Sequence, residues 1–277
     1  MKTYLVPTDY SDTAHNAALY ALDLAKKDQA KVVLLNVFQV PYPVVHDTYI
    51  PLSSMDELQH DAKDALLKYK NKLVSKTKTD VEIECRVAPD FVSDGISKYL
   101  QHNRVDLIVM GITGGSVLKE VLVGSNAMSV IRQCKKNVLI IPKDAKYKEV
   151  QKIGFATTFE FEHESQIKKD LKHYVDLFQA KLIAIHVNTV TELNTPERQA
   201  VVKHFNSSFN EADFVVKEIE SENVAEEIER YVEEKKCDWL ALVPKHNKLF
   251  ERLFNKTITK KLAFHLHVPI LAIHDED

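Results

Sequence analysis

Apolar positions along the chain fall into short runs separated by stretches of helical spacing. Residues 4–7 form a brief apolar run that predicts a first strand. Ser11 or Asp12 can cap the helix that follows, whose alanines and leucines recur at Ala14, Ala17, Ala18, Ala21, Leu22 and Ala25. Residues 31–37 (KVVLLNV) are near-continuously apolar and β-branched, as expected of a strand buried on both faces. After a stretch holding Pro41, Pro43 and Pro51, residues 55–76 read as a helix and 81–87 alternate as a strand. Residues 92–102 then read as helix, 106–111 as strand, 116–133 as mostly helix and 137–142 as a closing strand. Strands separated by helices imply βαβ units and a parallel sheet.

The order then repeats. AKVVLLNV at 30–37 lines up with AKLIAIHV at 180–187, an offset of 150. From residue 81 the offset is 132: 81–87 lie against 213–219, Tyr99 against Tyr231, Asp106 against Asp238, and 138–141 against 270–273. The difference falls within 38–73, where the first half carries the longer loop. A duplicated βαβ domain is the economical reading, with domains at 1–143 and 151–277 joined by the lysine-rich segment KDAKYKEVQ. The long 38–55 segment has several readings: a lid over a ligand, a dimer contact, or a surface insertion.

Composition narrows the function. With 37 basic and 40 acidic residues and a net charge of -3, nothing draws the chain towards nucleic acid or an anionic membrane. No apolar stretch approaches the length of a bilayer span, and the N-terminal run is too short for a signal peptide core, so the cytoplasm is the expected compartment. Cys85, Cys134 and Cys237 stand far apart and read as buried or half-buried residues rather than a disulfide or zinc framework. His265 and His267 share a strand face, but no nearby carboxylate or thiolate completes a metal set.

Glycine changes the picture most. The chain has six, and Gly111, Gly114, Gly115 and Gly124 fall within 14 positions. This segment leaves the carboxyl end of the fourth strand. In a flavodoxin-like sheet of order 3-2-1-4-5, ligands sit outside the carboxyl ends where the connections reverse, between strands one and four. Pro7, Thr8 and Asp9 end strand one, so Asp9 and the glycine loop are expected to face each other. Glycines admit phosphate oxygens to backbone N–H groups, and a helix starting near Gly124, Ser125 and Asn126 adds its dipole. Asp9 can accept from ribose hydroxyls or reach a phosphate-bound Mg²⁺, and Val37, ending strand two, can line an adenine slot.

Gly111-x2-Gly114-x9-Gly124-Ser125 resembles the ATP-binding pattern of universal stress proteins, G-x2-G-x9-G-[S/T]. Pro7-Thr8-Asp9 followed by Ser11 is similar to that family's first loop. The resemblance covers nearly the whole chain as two tandem domains. It implies an α/β fold of two flavodoxin-like (adenine nucleotide α-hydrolase-like) domains, each a five-stranded parallel sheet of order 3-2-1-4-5 with helices on both faces. It also implies an adenine nucleotide (ATP, ADP or AMP) held by Pro7, Thr8, Asp9, Val37, Met110, Gly111, Gly114, Gly115, Gly124, Ser125 and Asn126, with Mg²⁺ as an accessory. Dimerisation through the fifth strand follows from the same resemblance, as an internal pairing of the two domains or a homodimer.

The second domain departs from the pattern. Its counterparts of Gly111, Gly114, Gly124 and Ser125 are Val243, His246, Lys256 and Thr257, and around the Asp9 position it reads Thr157-Thr158-Phe159, with no carboxylate until Glu160. This half is expected to bind no ATP in the family's mode. It reads as a structural partner or as a site for another ligand, with Lys245, His246, Lys248 and Lys256 at its mouth. A phosphate loop of the GxxxxGK[ST] type is absent, and no arginine flanks the glycine loop, so at most slow ATP hydrolysis is expected. A regulatory or stress-response nucleotide binder is the leading reading, and a scaffold acting by protein contact is the competing one.

Overall fold

The computed structural model describes residues 1–39, 52–112, 125–157, 164–188, 203, 205, 209, 214–221, 223–244 and 267–274. These fall into two compact units: one within 1–112 and 125–136, the other within 137–274.

In the first unit, β1 (Thr3–Pro7), β2 (Lys31–Phe38), β3 (Ile83–Pro89) and β4 (Leu107–Ile112) form a parallel sheet in the order β3-β2-β1-β4. The order places β1 and β4 side by side, with Tyr4 opposite Leu107 and Leu5 opposite Ile108. Every residue of β1 is buried, as its apolar run requires. Helix α1 (Asp12–Asp28) begins where Ser11 Oγ accepts the Ala14 N–H at 3.3 Å, and ends where left-handed Gln29 returns its N–H to the Ala25 carbonyl. Its alanine stripe is buried against β1 and β4, since small side chains let the helix lie close to the strands.

Helices cover both faces. The thiol of Cys85 on β3 hydrogen-bonds Leu66 O of α2 (Leu52–Thr77), which places α2 on the face of Cys85 and its cross-strand neighbour Leu34. Val37, three residues along β2, points to the opposite face. There its methyls meet Gly95 of α3 (Val92–His102), and α4 (Ser125–Gln133) packs beside α3.

The second unit holds β5 (Val138–Pro142), β6 (Lys152–Ala156), α5 (Glu164–Phe178), β7 (Lys181–Asn188), β8 (Phe214–Glu220), α6 (Val224–Glu234), β9 (Trp239–Leu242) and β10 (Ile270–Ala272). Strands β6 to β10 are parallel in the order β8-β7-β6-β9-β10, which is the expected 3-2-1-4-5 for the second repeat. Strand β5 pairs antiparallel with β10, Ile140 opposite Ile270. Trp239 anchors this core, fully buried against the rings of Tyr174 and Phe178.

The aligned aspartates do the same work in both repeats. Asp106 accepts the Thr3 N–H at 2.8 Å and returns its own N–H to Thr3 O. Asp238 accepts from Gln151 and Lys152 and returns its N–H to Lys152 O. Each fastens the start of the fourth strand of its repeat to the start of the first. The cysteines are free thiols, with Cys134 and Cys237 buried and Cys85 half-buried. Among the described residues no helix is long and apolar enough to cross a membrane.

Candidate functional site

The carboxyl ends of β1, β2 and β4 meet at one edge of the first unit. Thr8, just past β1, donates its N–H to Leu35 O at 2.9 Å, continuing the ladder by one residue. Its own carbonyl accepts from the buried side chain of Asn36 at 2.8 Å. Asn36 is the one polar residue inside the apolar stretch 32–37, and capping this turn explains why it is there. Pro7 and Thr8 are buried, and Asp9 is exposed.

Asp9 sits in a tightly wound turn. Its Oδ1 accepts the Ser11 N–H at 3.0 Å. The next residue, Tyr10, is left-handed at φ 66°, an uncommon conformation for a bulky residue, and donates its N–H to Thr8 Oγ1 at 3.1 Å. The Tyr10 ring lies edge-on to Tyr69 of α2, centroids 5.4 Å apart. Tyr69 Oη is 3.1 Å from His15 Nδ1 of α1. Burial pushes the Tyr69 phenol up to about 12, with the nearby Thr8 side chain opposing and the charges of Tyr10 and Asp9 adding to the rise. No periodicity or motif singles out His15 or Tyr69.

Gly111, near the end of β4, abuts the first turn of α1. A Cβ at Gly111 would lie 2.4 Å from Thr13 O and 2.6 Å from Thr13 C. Its lack of a side chain is therefore needed by the fold, in addition to any ligand. That contact also brings the Asp9 turn and the start of the glycine loop to the same edge. Met110 beside it is buried. The Val37 methyls are occupied by α3: a Cβ at Gly95 would lie 2.9 Å from Val37 Cγ1. Ser125 begins α4, and Asn126 is exposed on its first turn. Gly114, Gly115, Gly124 and most of the 38–55 segment lie outside the described residues.

The same place in the second unit is built differently. Thr157 donates to Ile185 O, as Thr8 does to Leu35. Here His186 replaces Asn36, and its Nδ1–H donates to Thr157 O at 2.8 Å, both residues 1% exposed. Val243, at the Gly111 position, is buried. Where α1 has Ala14 and Ala18, α5 has Glu164 and Lys168, ion-paired at 2.7 Å, with the Lys168 ammonium 5.5 Å from the Phe205 ring centre. The cationic residues Lys245, His246, Lys248 and Lys256, together with Thr257 and 158–160, lie outside the described residues.

Comparison with known proteins gives a consistent result. A model of the universal stress protein family matches residues 1–142. Two universal stress proteins of Methanocaldococcus jannaschii are 30% and 29% identical to this chain; each alignment covers about half of it (52% and 51%) and most of the relative (84% and 95%). Over nearly its full length the chain shares the fold of a universal stress protein of Archaeoglobus fulgidus, with a TM-score of 0.69 at 17% identity, covering 99% of this chain and 98% of that one. A second two-repeat-length match, from Pseudomonas aeruginosa, has a TM-score of 0.55 at 13% identity, covering 99% and 93%. The α/β architecture is that of tandem flavodoxin-like repeats, and the chain belongs to the universal stress protein family.

Proposed function

We propose that the chain binds one adenine nucleotide, ATP foremost, at the carboxyl edge of its first repeat, and acts as a regulatory or stress-response protein. The observation that carries this is the convergence of the Asp9 turn and Gly111 at the β1/β4 switch point, on a chain whose 111–125 sequence keeps the family's phosphate pattern. Asp9 is exposed and held by Ser11, positioned to accept from the ribose hydroxyls. Gly114, Gly124 and Ser125 are assigned to the phosphates, with Mg²⁺ as their counter-ion. Met110 and Pro7 are assigned to the base, and Val37, whose methyls pack against Gly95, borders it through its backbone. The second repeat is a structural partner, a reading that the antiparallel β5–β10 pair supports.

Acid extraction of the purified protein, with chromatographic identification of the nucleotide, tests the proposal. The expected result is about one adenine nucleotide per chain, or the same stoichiometry by calorimetry after stripping. Two per chain would overturn the single-site assignment. No nucleotide, with no thermal shift in millimolar ATP, would favour a scaffold acting by protein contact.

A further inference from the structure

The left-handed Tyr10 is a local strain, held in place by its neighbours. Its N–H is taken by Thr8 Oγ1, and its ring is braced edge-on by Tyr69. Tyr69 is fixed in turn, its hydroxyl tied to His15 Nδ1 and its ring edge-on to the imidazole. One phenol therefore links the turn after β1, the first turn of α1 and the middle of α2. The residue immediately before Tyr10 is Asp9, whose carboxylate is close enough to oppose ionisation of that phenol.

We propose that Tyr69 is a positioning residue for Asp9: tethered to His15, its ring braces Tyr10 and locks the turn in the one shape that presents the carboxylate to the ribose of a bound nucleotide. The inference rests on the Asp9 assignment above and adds to it a residue 60 positions away in sequence (69 less 9) that touches no ligand. Strained backbone persists at binding sites when the surroundings over-determine it, and here the over-determination is a side-chain network with a single hub. Losing the hydroxyl unties the ring from α1, loosens the brace on Tyr10 and lets the turn relax, and a relaxed turn no longer aims Asp9.

The test compares ATP with 2′,3′-dideoxy-ATP, which lacks the hydroxyls Asp9 would hold, by calorimetry on the full chain. The wild-type protein should favour ATP roughly tenfold, and Asp9→Ala should abolish that preference. Tyr69→Phe keeps the ring against Tyr10 and removes only the hydroxyl. It should cut the preference about fivefold while leaving dideoxy-ATP affinity unchanged, and should have no further effect in the Asp9→Ala background. A merely structural role would weaken both ligands equally. Tyr69→Phe with the full preference intact, while Asp9→Ala loses it, would overturn this inference and leave the proposed function standing. A wild-type protein with no preference for ATP would instead overturn the Asp9 assignment itself.

Discussion

The ends of β1 and β6 are the same place in two copies of one fold, and they have been finished for different ends. Both carry a threonine whose N–H extends the ladder and whose carbonyl is capped by a side chain from the next strand. Beyond that point they diverge. The first copy keeps small residues, with Gly111 against Thr13 and Ala14 and Ala18 beneath, and an exposed carboxylate at Asp9. The second fills the corresponding positions with Val243, an imidazole and a Glu164–Lys168 pair whose buried ammonium lies near the Phe205 ring. A ligand site needs backbone left uncovered by side chains; among the described residues, the second copy carries the larger ones at these positions. The sheet is conserved because its register buries apolar runs on both faces, whereas the edge above it is free to change.

The largest expected effect comes from Gly111. The atoms that an added methyl would strike are backbone, which cannot swing aside, so Gly111→Ala should destabilise the protein by about 3 kcal/mol and lower its melting temperature by about 10 °C. Lost nucleotide binding in that variant would then report folding, and Gly124→Ala is the cleaner binding probe. A melt by circular dichroism that matched wild type would show that Thr13 yields.

The part-buried Glu164–Lys168 pair comes next. Removing only Lys168 leaves the Glu164 charge without its ammonium, and Lys168→Ala should cost about 2 kcal/mol in urea unfolding. Replacing both with alanine, which copies the first repeat at Ala14 and Ala18, should come back to within about 1 kcal/mol of wild type. If the double variant is as unstable as the single one, the pair is not a late substitution on an interchangeable scaffold.

The smallest effect is on α6. Burial, and then the charges of Glu233 and Glu226, push the Glu229 carboxyl up to about 7, with His267 opposing; its counterpart in α3 is the neutral Ser97. The folded state therefore holds this proton more tightly than the unfolded chain, whose carboxyl titrates near 4.5. Stability should fall as pH rises from about 4.5 to about 7, and the loss should be complete above that range. Glu229→Gln should flatten this slope, gaining about 1 kcal/mol at about pH 8, after allowance for solvent screening, and nothing at about pH 4. Parallel wild-type and variant curves of unfolding free energy against pH would exclude Glu229 as the source.

What was legible in the sequence follows from the range of the interactions. Strands buried on both faces announce themselves as apolar runs, and 92–102 is a helix with the predicted bounds. Ser11 was readable as a cap because capping is local. The alignment of Asp106 with Asp238 was readable as repetition, though the reason for it, a carboxylate fastening two strand starts, was not. Element ends moved by one to three residues: the strand expected at 81–87 runs Ile83–Pro89, because its pairing with β2, Phe38 opposite Pro89, sets its end. Gly111 was readable as a scarce glycine in a motif, but its contact with Thr13 joins residues 98 apart (111 less 13) and leaves no local trace. Tyr69 is the extreme case. In the sequence it is one tyrosine on a long polar helix, and only the packing of α2 over the β1 turn gives it meaning.

The pairing of β5 with β10 has a consequence for how the chain comes to be made. Ile140 and Ile270 stand opposite each other although 130 residues separate them (270 less 140). At ribosomal speeds β5 waits on the order of ten seconds for its neighbour to emerge. Throughout that wait VLIIP, buried along four of its five residues in the finished fold, is an uncovered apolar edge of the kind that recruits other chains. Long-range pairing of this sort forms late. The vulnerable period of this protein's life therefore lies in its synthesis, and a fragment ending just after β5 should aggregate where one ending before it stays dispersed.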